Sequence, residues 1–135
     1  VQFCNLSDRE LLALADSQRL LQVLVNLLGN ARDACTDYGK VEIRTHEEGG
    51  KAVIEVEDNG CGIAPESLGQ VFEPFYTTKD PGAGTGLGLA LVYSIMEDMN
   101  GTVQITSPVG PAAEPGTRVT LRLPLASYGR ELLVL

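Results

Sequence analysis

Residues 40–60, "KVEIRTHEEGGKAVIEVEDNG", do more than any other stretch to limit the folds open to this chain. Val41 and Ile43 fall on one face of an extended segment, Glu42 and Arg44 on the other. "HEEGGK" reads as a hairpin connection and "AVIEVED" as the return strand. Two antiparallel strands with one apolar face cannot stand alone in water; a second layer has to cover that face.

Helical patterns on either side of the hairpin supply the layer. Asp16 is an N-cap residue, and a helix is expected from there to about Tyr38, with Gly39 as its stop. Leu20, Leu24, Leu27, Leu28, Ala31 and Cys35 recur at three-or-four spacing, which makes a buried stripe. Pro65 suits the first turn of a short helix over "PESLGQVF", and a third helix is expected from about Leu87 to Met99. "GTVQIT" and "TRVTLRLP" alternate as two further strands, joined by the Pro/Gly-rich "SPVGPAAEPG". The order predicts an α/β (α+β) two-layer sandwich: a mixed, mainly antiparallel sheet of about five strands, with about three helices on one face. With 135 residues, one domain over 1–125 is expected. Residues 126–135 are then a tail, able to add an edge strand or to lead into a neighbouring domain.

Composition removes several classes of function. A net charge of −8 argues against a nucleic-acid surface, which draws on clustered Lys and Arg. It leaves room for a phosphorylated small molecule, because backbone N–H groups and a metal hold phosphate against an unfavourable field. No apolar run reaches the ~18 residues of a membrane span, and no signal-peptide pattern opens the chain, so no direct membrane contact is expected. Cys4, Cys35 and Cys61 are odd in number and lack Cys-x-x-Cys spacing, which points to a reducing, cytoplasmic setting without disulfides or zinc.

Some polar residues sit awkwardly in this plan. Asn26 and Asn30 share a face among leucines on the first helix, and Asp33 follows one turn on; alone, a half-exposed face or a loop cap explains them as well as a functional role does. Asp58 has the parity of Ile54 and Val56 and so faces the core at a strand end, a costly place for an unpaired carboxylate. Gly60 and Gly62 follow, permitting a tight turn; Asp-Asn-Gly is also a common turn with no further meaning. Thr117 shares parity with Val119, Leu121 and Leu123, which places its hydroxyl between sheet and helices. Gly82, Gly84, Gly86 and Gly88 occupy alternate positions just before the last helix. Gly-x-Gly-x-Gly matches neither the dinucleotide fingerprint nor Walker A, and the protein-kinase signatures are missing.

Taken together, "QVLVNLLGNARDA", "DNGCGI", "FEPFYTTK", "GTGLGLAL" and "GTRVTLRLP" resemble, in order and spacing, the motif set of the sensor histidine-kinase ATP-binding domain. The resemblance runs over about residues 16–124 and extends to the fold shared with gyrase, heat-shock chaperone and mismatch-repair ATPases. It implies that Asp58 accepts the adenine amino group, with Thr117 assisting through water, and that Gly60, Gly62 and Ile63 pass close to base and ribose. It makes Asn30 the Mg2+ ligand, with Asp33, Arg32 and Ala34 nearby. Asn26 stands where the hydrolytic relatives carry a glutamate, which marks the kinase branch because an amide is no general base. Asn26, Asn30 and Lys79 are the implied catalytic residues. Phe72 and Phe75 anchor an ATP lid hinged at Gly82, in which Gly84, Thr85, Gly86, Leu87 and Gly88 bring backbone to the phosphates.

The implied activity is that of a histidine protein kinase: ATP and Mg2+ are bound and the γ-phosphoryl group passes to a histidine. His46, the single histidine, lies in a hairpin without the proline of a phosphoacceptor motif. The acceptor then belongs to an upstream dimerisation domain of the same protein, reached in cis or in trans, and a response regulator receives the group later. As an isolated domain the fragment is expected to be monomeric, and a membrane anchor elsewhere in the parent protein stays open. The alternatives are a nucleotide-binding module without transfer, or a serine/protein kinase of the same fold.

Overall fold

In the computed structural model residues 1–7, 12–73, 88–125 and 132–134 are described. The elements are β1 (Gln2–Asn5), β2 (Leu12–Leu14), α1 (Ser17–Ala34), β3 (Lys40–Glu48), β4 (Lys51–Asp58), α2 (Gly88–Asp98), β5 (Thr102–Thr106), β6 (Thr117–Pro124) and β7 (Leu132–Val134). Gly49 and Gly50 turn the hairpin with φ of +58° and +76°, the left-handed pair that a two-residue connection between twisted strands requires. β3 then pairs with β4 from Val41↔Asp58 to Glu48↔Lys51, and β4 pairs with β6 from Asp58↔Thr117 to Lys51↔Pro124.

The five-stranded sheet runs β1-β3-β4-β6-β5, antiparallel except where β1 lies parallel to β3. The expected mixed sandwich is therefore present, with two helices rather than about three among the described residues. β1 escaped the sequence reading because four residues carry too short a pattern. β7 pairs antiparallel with β2 in a separate two-stranded sheet, not along an edge of the larger one.

α1 begins where expected: Asp16 Oδ1 accepts the N–H groups of Gln18 at 3.1 Å and Arg19 at 3.3 Å. It ends at Ala34, four residues before Tyr38, because Cys35 turns extended and the Ala34 carbonyl is taken by the N–H of Cys61 at 3.0 Å. Gly39 closes the next turn, donating to the Thr36 carbonyl at 2.9 Å. The "PESLGQVF" helix is likewise corrected. Residues 64–73 form successive tight turns, with Ser67 bonded to Ala64 and Gln70 to Ser67, and none of these residues is helical.

Leu20, Val23, Leu27 and Ala31 of α1, with Val92, Ile95 and Met96 of α2, are buried against Val41, Ile54, Val56, Leu121 and Leu123 of the sheet. Each large side chain so covered contributes about 1.5–3 kcal/mol. The far face of the sheet carries charge ladders: Arg118 reaches Glu57 at 2.8 Å and Glu55 at 3.3 Å. The helices lie antiparallel, pinned at one end by Arg19–Asp98 at 2.8 Å, so the C-terminus of α1 and the N-terminus of α2 meet at the other.

Candidate functional site

At that second end of the sandwich the end of α1, the start of α2 and the turn after β4 come together. Asp58 closes β4 on the buried face with Ile54 and Val56, and only 7% of it is exposed. Its Oδ1 accepts the Gly60 N–H at 2.9 Å. Burial pushes its carboxyl above the usual range, with the charge of Glu57 adding to the rise; the backbone N–H groups of Gly60 and Thr117 pull it back. Thr117, its register partner on β6, is equally buried. Both side chains thus stand where the parity argument sends them, in the layer between sheet and helices.

The turn after Asp58 is built on close approach. A Cβ on Gly60 would stand 2.3 Å from the Ala34 carbonyl oxygen, so the loop can pack on the end of α1 only with glycine there. Gly62 has φ of +73°. Asn59 binds the turn to β3: its Oδ1 accepts the Lys40 N–H at 2.7 Å. Next door, burial first and the Asp58 charge second push the Cys35 thiol up, which keeps it protonated. All three cysteines are free.

Asn26 and Asn30 are half-buried on α1, one turn apart. A Cβ on Gly88 would lie 3.7 Å from Asn30 Nδ2, so the Asn30 side chain borders the first residue of α2. Asp33 is contacted by Arg32 at 3.4 Å, and Ala34 meets the Cys61 N–H through its carbonyl. Phe72 stacks on Tyr93 of α2, ring centroids 5.5 Å apart and planes tilted 43°. Lys79, Gly82, Gly84, Thr85, Gly86, Leu87 and Phe75 lie outside the described residues.

Among the described residues no group of three or more His, Cys, Asp or Glu is placed to hold a metal ion. Asn30 offers one amide oxygen. A lone hard donor fits Mg2+, which takes few protein ligands and fills its octahedron with water and phosphate oxygens.

Ser107, in the connection after β5, was missed. Its Oγ accepts the Ile63 N–H at 2.9 Å and donates to the Gly116 carbonyl at 2.7 Å, tying the glycine turn to the start of β6. A serine beside proline in a Pro/Gly-rich connection carries no periodic signal, so nothing in the sequence marked it. A cavity of about 470 Å³ lies elsewhere, beside α1, lined by Leu21, Leu24, Leu28, Ile43 and Ile54 together with Asn5, Ser7, Ser17, Gln18 and Thr45. Its surface is mostly apolar, and it shares no residue with this site.

Comparison with known proteins agrees with this fold. Residues 15–127 match the family model described as histidine kinase-, DNA gyrase B- and HSP90-like ATPase. Sensor histidine kinase ZraS of Escherichia coli O157:H7 is 44% identical over 111 residues, covering 82% of this chain and 23% of ZraS. The catalytic domain of histidine kinase ThkA superposes with a TM-score of 0.80 at 33% identity, covering 93% of this chain and 81% of that one. ThkA has also been solved in complex with response regulator protein TrrA; that copy gives a TM-score of 0.74 at 31% identity, over 95% and 35% of the two chains. Full-length ShkA in complex with AMPPNP gives 0.78 at 31% identity, over 93% of this chain and 26% of its own. The chain thus spans about a quarter of the length of the curated relative named here.

Proposed function

The chain belongs to the histidine kinase-, DNA gyrase B- and HSP90-like ATPase family, as a sensor histidine-kinase ATP-binding domain, and from that premise we propose that it donates the γ-phosphoryl group of ATP to a histidine of a separate dimerisation domain. The observation that carries the reading is Asp58, a buried carboxylate at the end of β4, in the same end of the sandwich as Asn30 and Gly88. Asp58 accepts the adenine amino group, with Thr117 beside it assisting through water. Gly60, Gly62 and Ile63 lie along base and ribose. Asn30 holds Mg2+ by its amide oxygen, Asp33 and Ala34 stand near the phosphates, and bound magnesium supplies neutralising charge there.

In this reading Lys79, Gly84, Thr85, Gly86 and Leu87 close over the triphosphate, and Gly88 presents the N-terminal N–H groups of α2 to it. Asn26, an amide, activates no water, so ATP is held for transfer and hydrolysed slowly by the chain alone. Transfer then depends on placing the acceptor in line with the γ-phosphate, which is chiefly positioning and charge stabilisation. His46 is no candidate acceptor: it sits on the solvent face of β3, between Glu48 at 3.2 Å and Glu55 at 3.4 Å. The acceptor is supplied by the parent protein in the cytoplasm, in cis or in trans, and a response regulator takes the group onward.

The test supplies ATP labelled at the γ-phosphate, magnesium, and the helical hairpin that precedes this domain in the parent protein. Acid-labile, alkali-stable label on the hairpin is expected, together with slow phosphate release by the domain alone. ATP binding without label on the hairpin would reassign the chain as a regulatory binding module. Rapid steady-state phosphate release would contradict the role given to Asn26.

A further inference from the structure

Ser107 Oγ stands within hydrogen-bonding distance of three groups: Ile63 N at 2.9 Å, the Gly116 carbonyl oxygen at 2.7 Å and Thr117 Oγ1 at 3.4 Å. Counting protons settles the direction of each contact. A carbonyl oxygen only accepts, so the single Ser107 hydroxyl proton goes to Gly116. An amide N–H only donates, so one Ser107 lone pair is taken by Ile63. Ser107 then has no proton left for Thr117, and across the 3.4 Å contact the Thr117 hydroxyl is the donor. At that length the contact biases the hydroxyl rotor more than it locks it.

The consequence falls on the neighbouring carboxylate. In the orientation so favoured, with its proton toward Ser107, Thr117 Oγ1 offers lone pairs to whatever lies beside it. Asp58, its register partner, offers only lone pairs when ionised. The pair is then an acceptor-only surface in a largely buried place. Such a surface takes N–H donors, directly or through a water, and leaves a ring carbonyl facing lone pairs without a partner. Adenine presents an amino group at the position where guanine presents a carbonyl.

We infer that Ser107 is a positioning residue that sets the base preference of the nucleotide site, amino over carbonyl, by holding the Thr117 hydroxyl as an acceptor. The inference rests on the nucleotide reading given above. Its second bond, to Ile63, steadies the turn beside the base and acts on every nucleotide alike. Only the contact with Thr117 discriminates between bases.

The experiment measures ATP and GTP affinity by calorimetry, with magnesium, for the unaltered chain, Ser107→Ala, Ser107→Thr, Thr117→Val and the double variant Ser107→Ala/Thr117→Val. Ser107→Ala is expected to lower the ATP-over-GTP ratio by roughly five- to tenfold, the scale of one misdirected hydrogen bond. Ser107→Thr, which keeps the hydroxyl, restores the ratio. In the Thr117→Val background, Ser107→Ala changes the ratio no further, because its route has been removed. Equal losses for ATP and GTP, with the ratio unchanged, overturn the inference and leave Ser107 as a loop tether. So does a further fall of the ratio in the Thr117→Val background. If Ser107→Ala fails to fold by thermal melting, Ser107→Cys, a weak hydrogen-bonder of similar size, is expected to show the same fall, and an unchanged ratio there is equally adverse. Failure of the unaltered chain to bind ATP is a different result, and refutes the nucleotide reading itself.

Discussion

Replacing Asp58 by Asn should move binding and stability in opposite directions. Asp58 Oδ1 accepts the Gly60 N–H at 2.9 Å, and the Asn amide oxygen can keep that bond, so the turn survives. What changes is the other end of the group: a charge disappears from a residue only 7% exposed, and an NH2 donor replaces an acceptor. A hydrogen bond to a charged partner contributes about 1.5–3 kcal/mol, and each 1.4 kcal/mol is about tenfold, so ATP affinity should fall roughly ten- to a hundredfold. The folded chain without nucleotide should be as stable as before at neutral pH, or more so, because the cost of burying the charge is gone.

The sign with pH follows from the raised carboxyl of Asp58. Between its unfolded value, about 3.9, and its higher folded value, the folded chain keeps a proton that the unfolded chain has lost. Its contribution to stability is therefore full below the unfolded value and is lost as pH rises through the folded one. ATP affinity runs the other way, climbing over the same interval as the acceptor ionises. Urea denaturation and calorimetry across that interval read both, and Asp58→Asn should erase this part of both slopes. The reasoning is refuted if the Asn variant binds ATP within about twofold of the unaltered chain, or loses more than about 1 kcal/mol of stability at neutral pH.

Three further outcomes follow from the geometry. Gly60→Ala puts a Cβ 2.3 Å from the Ala34 carbonyl oxygen, and should destabilise by about 1–3 kcal/mol in urea denaturation; full stability would mean that the turn sits free of α1. Asp16→Ala removes the cap that bonds Gln18 and Arg19, costing about 1 kcal/mol and lowering Tm by about 3–5 °C. ATP affinity should be unaltered by that change, since the cap is at the far end of α1. Asn30→Ala should weaken magnesium-dependent ATP binding while sparing metal-free ADP, and an unaltered magnesium requirement in calorimetry would contradict the role given to its amide oxygen.

Local chemistry made much of this molecule legible in the chain alone. The start of α1 could be read because Asp16 caps its own N–H neighbours two and three residues on. The β3–β4 hairpin could be read because Gly49-Gly50 and a period of two act over a few residues. The inward direction of Asp58 and Thr117 could be read because parity along a strand is a backbone property. The motif order added the family, and the match over residues 15–127 agrees.

What remained was decided by partners far apart in sequence. α1 stops at Ala34 because residue 61 claims its last carbonyl, so Gly39, the local stop signal, marks the next turn instead. β1 is a strand only because β3 offers it a parallel edge, and "PESLGQVF" remains a chain of turns despite its helix-start proline. Ser107 matters only because folding brings Ile63, Gly116 and Thr117 to one hydroxyl, across 44, nine and ten residues of chain. Periodicity and capping are properties of neighbours along the chain; hydrogen-bond partners drawn from across it exist only after the layers have packed.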